Sequence, residues 1–289
     1  VSEPRSAPTV LQMVLGRRLL QLRQAVGLSA QDVGKRLRQS HTTITRMERA
    51  EVTLKWLTVK ALLEIYGVGD EEAAEFLELT DQANVSGWWQ GYRDVLPNWF
   101  GVHVSLESGA TQVRSYEPHV VPGLLQTPEY ARCVLSLGLP RVSTEVVERQ
   151  IALRRERQAL LTRLEPEPPH FWAVVDETVL RRPVGPPDVM RGQLEQLLAV
   201  AHLPSVTFQV APFRSGLHPG GFGPFSVFRF EIPELPDVVG IDSLSRATYS
   251  EDPAEVALYR EALDQMSTYA LSRKDTLRLL DVIRKELDP

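Results

Sequence analysis

Between Gly27 and Glu51 the chain reads GLSAQDVGKRLRQSHTTITRMERAE, and this stretch leaves little freedom of fold. Gly27 stops the helix that precedes it. Ser29 is an N-cap residue with Asp32 three positions on, the spacing of a capping box. The helix it opens carries Val33 and Leu37 inward and ends near Leu37, because Ser40 opens another cap. The following helix turns Ile44 and Met47 inward. Two short helices joined by a tight turn make a helix-turn-helix unit. Upstream, Leu11, Leu15, Leu19 and Leu22 mark one face of a first helix, flanked by Leu20 and Val26. Downstream, residues 54–66 predict a fourth helix with Leu54, Leu57, Ala61, Leu62 and Ile65 inward and Gly67 as its cap. Residues 70–80 predict a fifth, acidic helix bearing Ala73, Phe76, Leu77 and Leu79.

The side chains left outside decide what such a unit can do. With Ile44 and Met47 inside, the opposite face of the third helix shows His41, Thr42, Thr45, Arg46 and Arg49. A recognition helix brings its N-terminal residues to base edges in the major groove. Short hydroxyl residues let the backbone approach, and their methyl groups can touch thymine. Arg46, one turn on, is long enough for a bidentate pair with guanine. Ser40 and the free amides of the helix start suit a phosphate, and Thr43 completes the candidate DNA-binding set. The alternative is a small helical bundle whose helix merely starts on polar residues.

Charge bears on that choice. The 289 residues hold 37 acids and 32 Lys and Arg, a net of −5, which by itself argues against nucleic acid. From Arg5 to Lys60, however, eleven bases face three acids (Asp32, Glu48 and Glu51), a local net of +8. From Ala61 to Gln82 seven acids face no base. The basic block coincides with the helix-turn-helix pattern, as a phosphate-facing surface requires. The acidic fifth helix is expected to point away from DNA.

These residues resemble the helix-turn-helix of the Cro and phage-repressor (XRE) family over about residues 12–68. The resemblance implies a buried ion pair between Arg23 and Glu48, and base-facing places for His41, Thr42, Thr45 and Arg46. Two positions depart from the family pattern. Ala30 stands where a Gln commonly touches the DNA backbone, and Ala50 stands where a Gly usually ends the recognition helix. The second implies a different helix exit.

More than two thirds of the chain follows. Trp88, Trp89 and Trp99 concentrate three of the five tryptophans in WWQGYRDVLPNWF. Such a cluster serves a core or a domain junction, or else lines a ligand pocket with the strand face after Phe171. Pro122-Gly123 predicts a turn and Thr127-Pro128 a helix start. Cys133 lies in that helix as a buried, inert thiol. Residues 142–164 predict one long helix with Val146, Val147, Ile151, Leu160, Leu161 and Leu164 inward. Arg149, Arg154, Arg155, Arg157 and Arg163 form its outer face, solvated or set against an acidic partner. FWAVVDE, VTFQVAPF, FGPFSVFRFEI and VVGID predict four strands, with LHPGGFG as a hairpin loop between the second and third. Helices are expected over 187–202, 253–272 and 273–287.

This part resembles the C-terminal domain of actinobacterial WhiJ-like regulators, described as antitoxin-like. The carrying residues are WW at 88–89, VPGLLQTPEYAR at 121–132, RRERQALL at 154–161, DETVLRRPVG at 176–185, VMRGQL at 189–194 and GPFSVFRF at 223–230. GIDSLSRATYSEDP departs where relatives show a strand with Tyr-Val-Glu, and Asp242 stands as the replacement for that acid. The resemblance implies a transcriptional regulator tuned by a small protein encoded nearby.

Catalysis finds little support. Asp176 and Glu177 are adjacent and would point to opposite faces of a strand. The six histidines show no metal-ligand spacing and the single cysteine offers no cluster. No phosphate-binding loop or nucleophile elbow appears, and no cofactor is expected. One cysteine fits a reducing, cytoplasmic compartment, and no apolar run suits a membrane. The chain is thus expected to be multidomain. A disordered lead-in spans 1–10, an all-α five-helix helix-turn-helix domain spans 11–82, and an α+β domain with a small sheet spans 83–289. The expected partners are a palindromic double-stranded operator, a second copy in a homodimer, a small protein partner and a small-molecule effector. A protein that sequesters a partner without reading DNA is the alternative.

Overall fold

A computed structural model describes residues 8–85, 87–138, 143–232, 235–243 and 246–287. By packing, the chain forms two units. The first comprises Val1–Gly91, Gly101–Gly109 and Glu231–Pro236; the second comprises Tyr92–Phe100, Ala110–Phe230 and Asp237–Pro289. An N-terminal helical region is followed by a domain that combines helices with a mixed sheet. No helix among the described residues is long and apolar enough to cross a membrane.

The first unit contains α1 (Val10–Ala25), α2 (Ala30–Leu37), α3 (His41–Glu48), α4 (Trp56–Tyr66) and α5 (Asp70–Ala83). Most of the expected lead-in, residues 1–7, lies outside the described residues, but Thr9 caps the first helix and Val10 begins it. Thr9 Oγ1 accepts from the Gln12 amide at 3.2 Å, and the Thr9 amide donates to Gln12 Oε1 at 3.0 Å. Helices as short as α2 and α3, eight residues each, do not persist alone in water. Burial holds them. Leu15, Leu19, Val33, Ile44, Met47, Leu54, Leu62 and Phe76 form one core, and each side chain withdrawn from water contributes roughly 1.5–3 kcal/mol.

The fourth helix begins later than expected and in another phase. Leu54 is buried ahead of it, whereas Leu57 is 76% exposed. The inward face is Val59, Leu62, Leu63 and Tyr66. The run is apolar on most sides, so periodicity alone did not select the face that meets α5.

The second unit is built on six described strands: β1 (Gln112–Glu117), β2 (His170–Asp176), β3 (Val206–Ala211), β4 (Phe225–Arg229), β5 (Val238–Asp242) and β6 (Ala247–Ser250). Their order is β3-β2-β1-β4-β5-β6. The β1–β2 and β2–β3 pairs are parallel, and the other three are antiparallel. Parallel neighbours need crossover connections. These are supplied by α7 (Pro128–Gly138) with α8 (Thr144–Gln158), and by α9 (Glu177–Arg181) with α10 (Pro187–Val200). α11 (Pro253–Tyr269) covers one face, where Tyr116, Val174, Phe225, Val227 and Val239 meet Val256, Leu263 and Met266. α12 (Arg273–Glu286) packs on α10 and β3. The remaining helix, α6 (Asn98–Gly109), precedes β1 in the chain, and its residues from Gly101 on belong to the first unit.

Two strands escape the sequence reading. QVRSYE has no apolar run, yet it is a central strand, with Val113, Arg114, Ser115 and Tyr116 all buried. Arg114 is accommodated by lying over the Trp172 ring at 4.2 Å and donating to Asp264 at 2.6 Å. ATYS forms the edge strand β6, so a strand does occupy this late segment. LHPGGFG is not a hairpin loop, because β3 and β4 are not neighbours in the sheet; it contains a 3-10 turn at Pro219–Phe222.

The long helix expected over 142–164 is shorter. Val142 lies outside the described residues, α8 ends at Gln158, a 3-10 turn follows, and Leu164 is 92% exposed. Its arginines are not one solvated face. Arg157 is buried under the Phe100 ring at 4.8 Å. Burial, with the Arg157 charge beside it, lowers the Arg154 guanidinium to about 10. Cys133 is half-buried rather than enclosed. Asp176 ends β2 and its Oδ1 accepts from the Thr178 amide, while Glu177 begins α9 and accepts from Arg181. Both acids therefore serve the strand-to-helix turn.

Candidate nucleic-acid interface

The surface is made by how α2 and α3 are held. Ser29 and Asp32 close a reciprocal capping box, with Asp32 N to Ser29 Oγ and Ser29 N to Asp32 Oδ2 both at 3.1 Å. The Ser29 hydroxyl and amide hold the Asp32 carboxyl below its ordinary range. The turn follows from Gly34. A Cβ there would stand 2.8 Å from the Gln39 carbonyl, so the chain can fold back only over a glycine. Arg38 takes a left-handed conformation, φ 54°, to complete the turn. Ser40 then caps α3, accepting from the Thr43 amide at 3.1 Å.

α3 is divided cleanly. Ile44, Met47 and Glu48 are buried; His41, Thr42 and Arg49 are exposed, and Thr45 and Arg46 are half-buried. Residues 42, 45, 46 and 49 fall at i, i+3, i+4 and i+7, one continuous stripe. His41, Thr42 and Arg49 have no side-chain hydrogen bond or ion pair with another described residue. The other hydroxyls are engaged. Ser40 and Thr43 meet at 2.9 Å, and Thr45 donates to the His41 carbonyl at 3.1 Å. Arg46 Nε lies 3.6 Å from Glu51 Oε2 in a partly exposed pair. Such a pair contributes little in water and exchanges readily for a competing anion.

The back of α3 is fixed by charge. Arg23 Nε donates to Glu48 Oε1 at 2.6 Å, its Nη2 to Oε2 at 3.0 Å, and its Nη1 to the Leu28 carbonyl at 2.7 Å. The Glu48 hydrogen bonds raise the Arg23 pKa against the opposing effect of burial. This fork ties the end of α1 to the end of α3 and to the turn that leads into α2. Gly16 permits the crossing: a Cβ would stand 2.7 Å from the Glu48 carbonyl. Ala50, where a different helix exit was expected, takes the left-handed conformation usual for glycine, φ 54°. The exit is thus of the glycine type, strained by about 1–2 kcal/mol for a residue with a Cβ.

Gly16 and Gly34 were not singled out in the sequence; a glycine inside a helical pattern, where it costs stability, was the available signal. Lys35, Arg36 and Arg38 are exposed in and beside the turn, a further basic group suited to phosphates. On the acidic side, α5 packs on α1 and α4, and Arg18 binds Glu72 at 3.0 Å. The tryptophans do not gather in one unit. Trp88 and Trp89 belong to the first, edge-to-face at 6.0 Å. Trp99 belongs to the second, where its carbonyl accepts from Tyr249.

Comparison with known proteins agrees with this division. A family model described as a helix-turn-helix domain matches residues 14–76. A second, described as a domain of unknown function (DUF5753), matches residues 100–282, more than half of the chain. No curated protein matches, and no solved structure matches. The chain belongs to the DUF5753 family and carries a helix-turn-helix domain ahead of the family's region.

Proposed function

We propose that this protein is a sequence-specific DNA-binding transcriptional regulator, in which α3 reads the major groove and the second unit receives a partner protein or effector or joins two copies. One observation carries the reading: a single solvent-accessible stripe of α3 bears Thr42 and Arg49, exposed, and Thr45 and Arg46, half-buried, while its other side is locked by core and by the Arg23–Glu48 fork. His41 and Thr42 are placed for base edges, Arg46 for guanine, and Ser40, Thr43 and Arg49 for the backbone. A single unit of this size covers a half-site, so a homodimer on a palindrome with half-sites about 34–36 Å apart follows. The reading places the protein in the cytoplasm with its DNA, and the WhiJ-like resemblance supports an antitoxin-like pairing with a small protein encoded nearby.

The test is selection of bound sequences from random duplexes by the protein and by Arg46→Ala. A palindromic motif is expected, with the variant losing about 1–3 kcal/mol and its preference at one base pair. Equal losses on the selected and on random DNA would reduce Arg46 to a phosphate contact. Affinity is also expected to fall steeply with salt as counterions are released. The Arg46–Glu51 pair favours a second reading, in which the stripe is closed to DNA and the chain only sequesters a protein partner. No enriched motif, with salt-insensitive protein association, would establish that reading.

A further inference from the structure

The second unit has a cavity of about 330 Å³ on the face of the sheet that α11 covers. Three elements line it: Phe225 and Ile241 from β4 and β5, Leu258 and Tyr259 from α11, and Pro219 and Phe222 from the loop ahead of β4. The strand register explains its place. Tyr116, Phe225 and Ile241 form one row across β1, β4 and β5 and pack toward α11. Glu117 and Asp242 form the next row and turn to the other face. These rows lie at the carboxyl ends of β1 and its parallel neighbour β2, the end at which open sheets of parallel strands take their ligands.

No charged side chain lines the cavity. Its rings are Phe222, Phe225 and Tyr259, of which the last two meet at 4.8 Å, tilted by 58°. Two lining side chains stand in water: Phe222 is 96% exposed and Leu258 64%. The loop that carries Phe222 is anchored at its base. Gly220 lies against the Tyr116 ring, where a Cβ would collide, and its amide donates to His218 Nδ1 at 3.2 Å. The core thus fixes a loop whose tip presents a phenyl ring to solvent, an exposure that marks binding sites when it adjoins other apolar surface. The polar side chain of the lining is Tyr259, whose Oη has no hydrogen bond with another described residue. Burial first, and the Glu255 charge second, raise the Tyr259 pKa, so the hydroxyl keeps its proton and is a donor at neutral pH. The neighbouring cation, Arg260, is engaged by Asp237 at 3.5 Å.

We propose that this cavity binds a small, flat, uncharged aromatic molecule, which lies among Phe222, Phe225 and Tyr259 and accepts a hydrogen bond from the Tyr259 hydroxyl. Rings gather another ring by edge-to-face and offset contacts. Small-molecule pockets run from about 300 to 1,000 Å³ and join an apolar lining to a few polar groups, so this volume suits a molecule of two fused rings. An ionised ligand fits less well, because it would lose its hydration without gaining a partner of opposite charge. This gives the effector of the second unit a chemical class. It rests on the reading that this unit receives a ligand, and it is measured without DNA, so its failure leaves the reading of α3 untouched.

The experiment is calorimetric titration of the full chain with 2-naphthol, compared with naphthalene and 2-naphthoate. Expected are saturable binding of 2-naphthol and weaker binding of the naphthoate anion. Phe222→Ala and Leu258→Glu change exposed side chains, so melting curves should stay put while each weakens 2-naphthol binding roughly tenfold. Tyr259→Phe is expected to lower the affinity for 2-naphthol toward that for naphthalene and to leave naphthalene binding unchanged. No saturable binding by the native chain, equal binding of 2-naphthoate, or undiminished 2-naphthol binding in the folded variants would overturn the proposal. If the native chain binds no 2-naphthol and the Phe222 and Leu258 variants instead lose self-association in sedimentation, the face belongs to a second copy.

Discussion

Each unit of this molecule brings two ionisable side chains together, and the two pairs are opposites. In the first, Arg23 and Glu48 are of opposite sign, nearly enclosed (side chains 13% and 4% exposed) and joined by two short hydrogen bonds. In the second, Glu117 and Asp242 are of the same sign and have no donor among the described residues. A satisfied pair holds elements in register. An unsatisfied pair raises the energy of its own ionised form and leaves acceptors open. The comparison separates a buried charge that its partner stabilises from one that burial and its neighbour disfavour.

The largest effect should come from breaking the satisfied pair. Arg23→Ala strands the Glu48 carboxylate, and a loss of about 3–5 kcal/mol in denaturant unfolding is expected. A loss below about 1 kcal/mol would make the fork no more than a surface ion pair. Binding of DNA should fall with it, because α3 loses its anchor to α1.

The unsatisfied pair should respond to pH in the reverse manner to an ordinary salt-bridged acid. The folded Glu117 carboxyl titrates at about 8, above its ordinary 4.5. Its contribution to stability is therefore full below the unfolded value and is lost as pH rises through that window. Relative to Glu117→Gln, the native chain should lose several degrees of melting temperature between mildly acidic and mildly alkaline pH. Asp242→Asn, which removes the neighbouring charge, should narrow the window. Parallel melting profiles for the native chain and Glu117→Gln would remove the coupling.

Smaller changes test the frame of α3. Ala50→Gly relieves about 1–2 kcal/mol of left-handed strain and gives up one buried methyl, about 0.8 kcal/mol. A net stabilisation below about 1 kcal/mol is expected in chemical denaturation; destabilisation would mean that methyl packing outweighs the strain. Thr9→Ala removes the α1 cap and should cost about 0.5–1 kcal/mol, read as a small drop in melting temperature.

How legible the two regions were follows from the same contrast. The caps at Ser29 and Ser40, the inward Ile44 and Met47 and the stop at Gly67 are local signals, each decided within a few residues, and the structure places all of them as read. The phase of α4 was not legible, because Leu57 and Leu63 are equally apolar and only packing against α1, α2 and α5 distinguishes them. β1 was not legible either. Its Gln, Arg, Ser and Glu look like loop residues, and they are strand residues because β2 and β4 pair on both sides.

What this sequence determines by itself is the helix-turn-helix: capping chemistry, apolar spacing and glycine breaks act over one or two turns, so the chain states them locally. That Arg23 finds Glu48, that Arg157 lies under Phe100, and that Glu117 and Asp242 come to share a row were decided only by tertiary structure. These are pairings between residues 25 to 125 positions apart, and no local spacing encodes which strand becomes a neighbour of which.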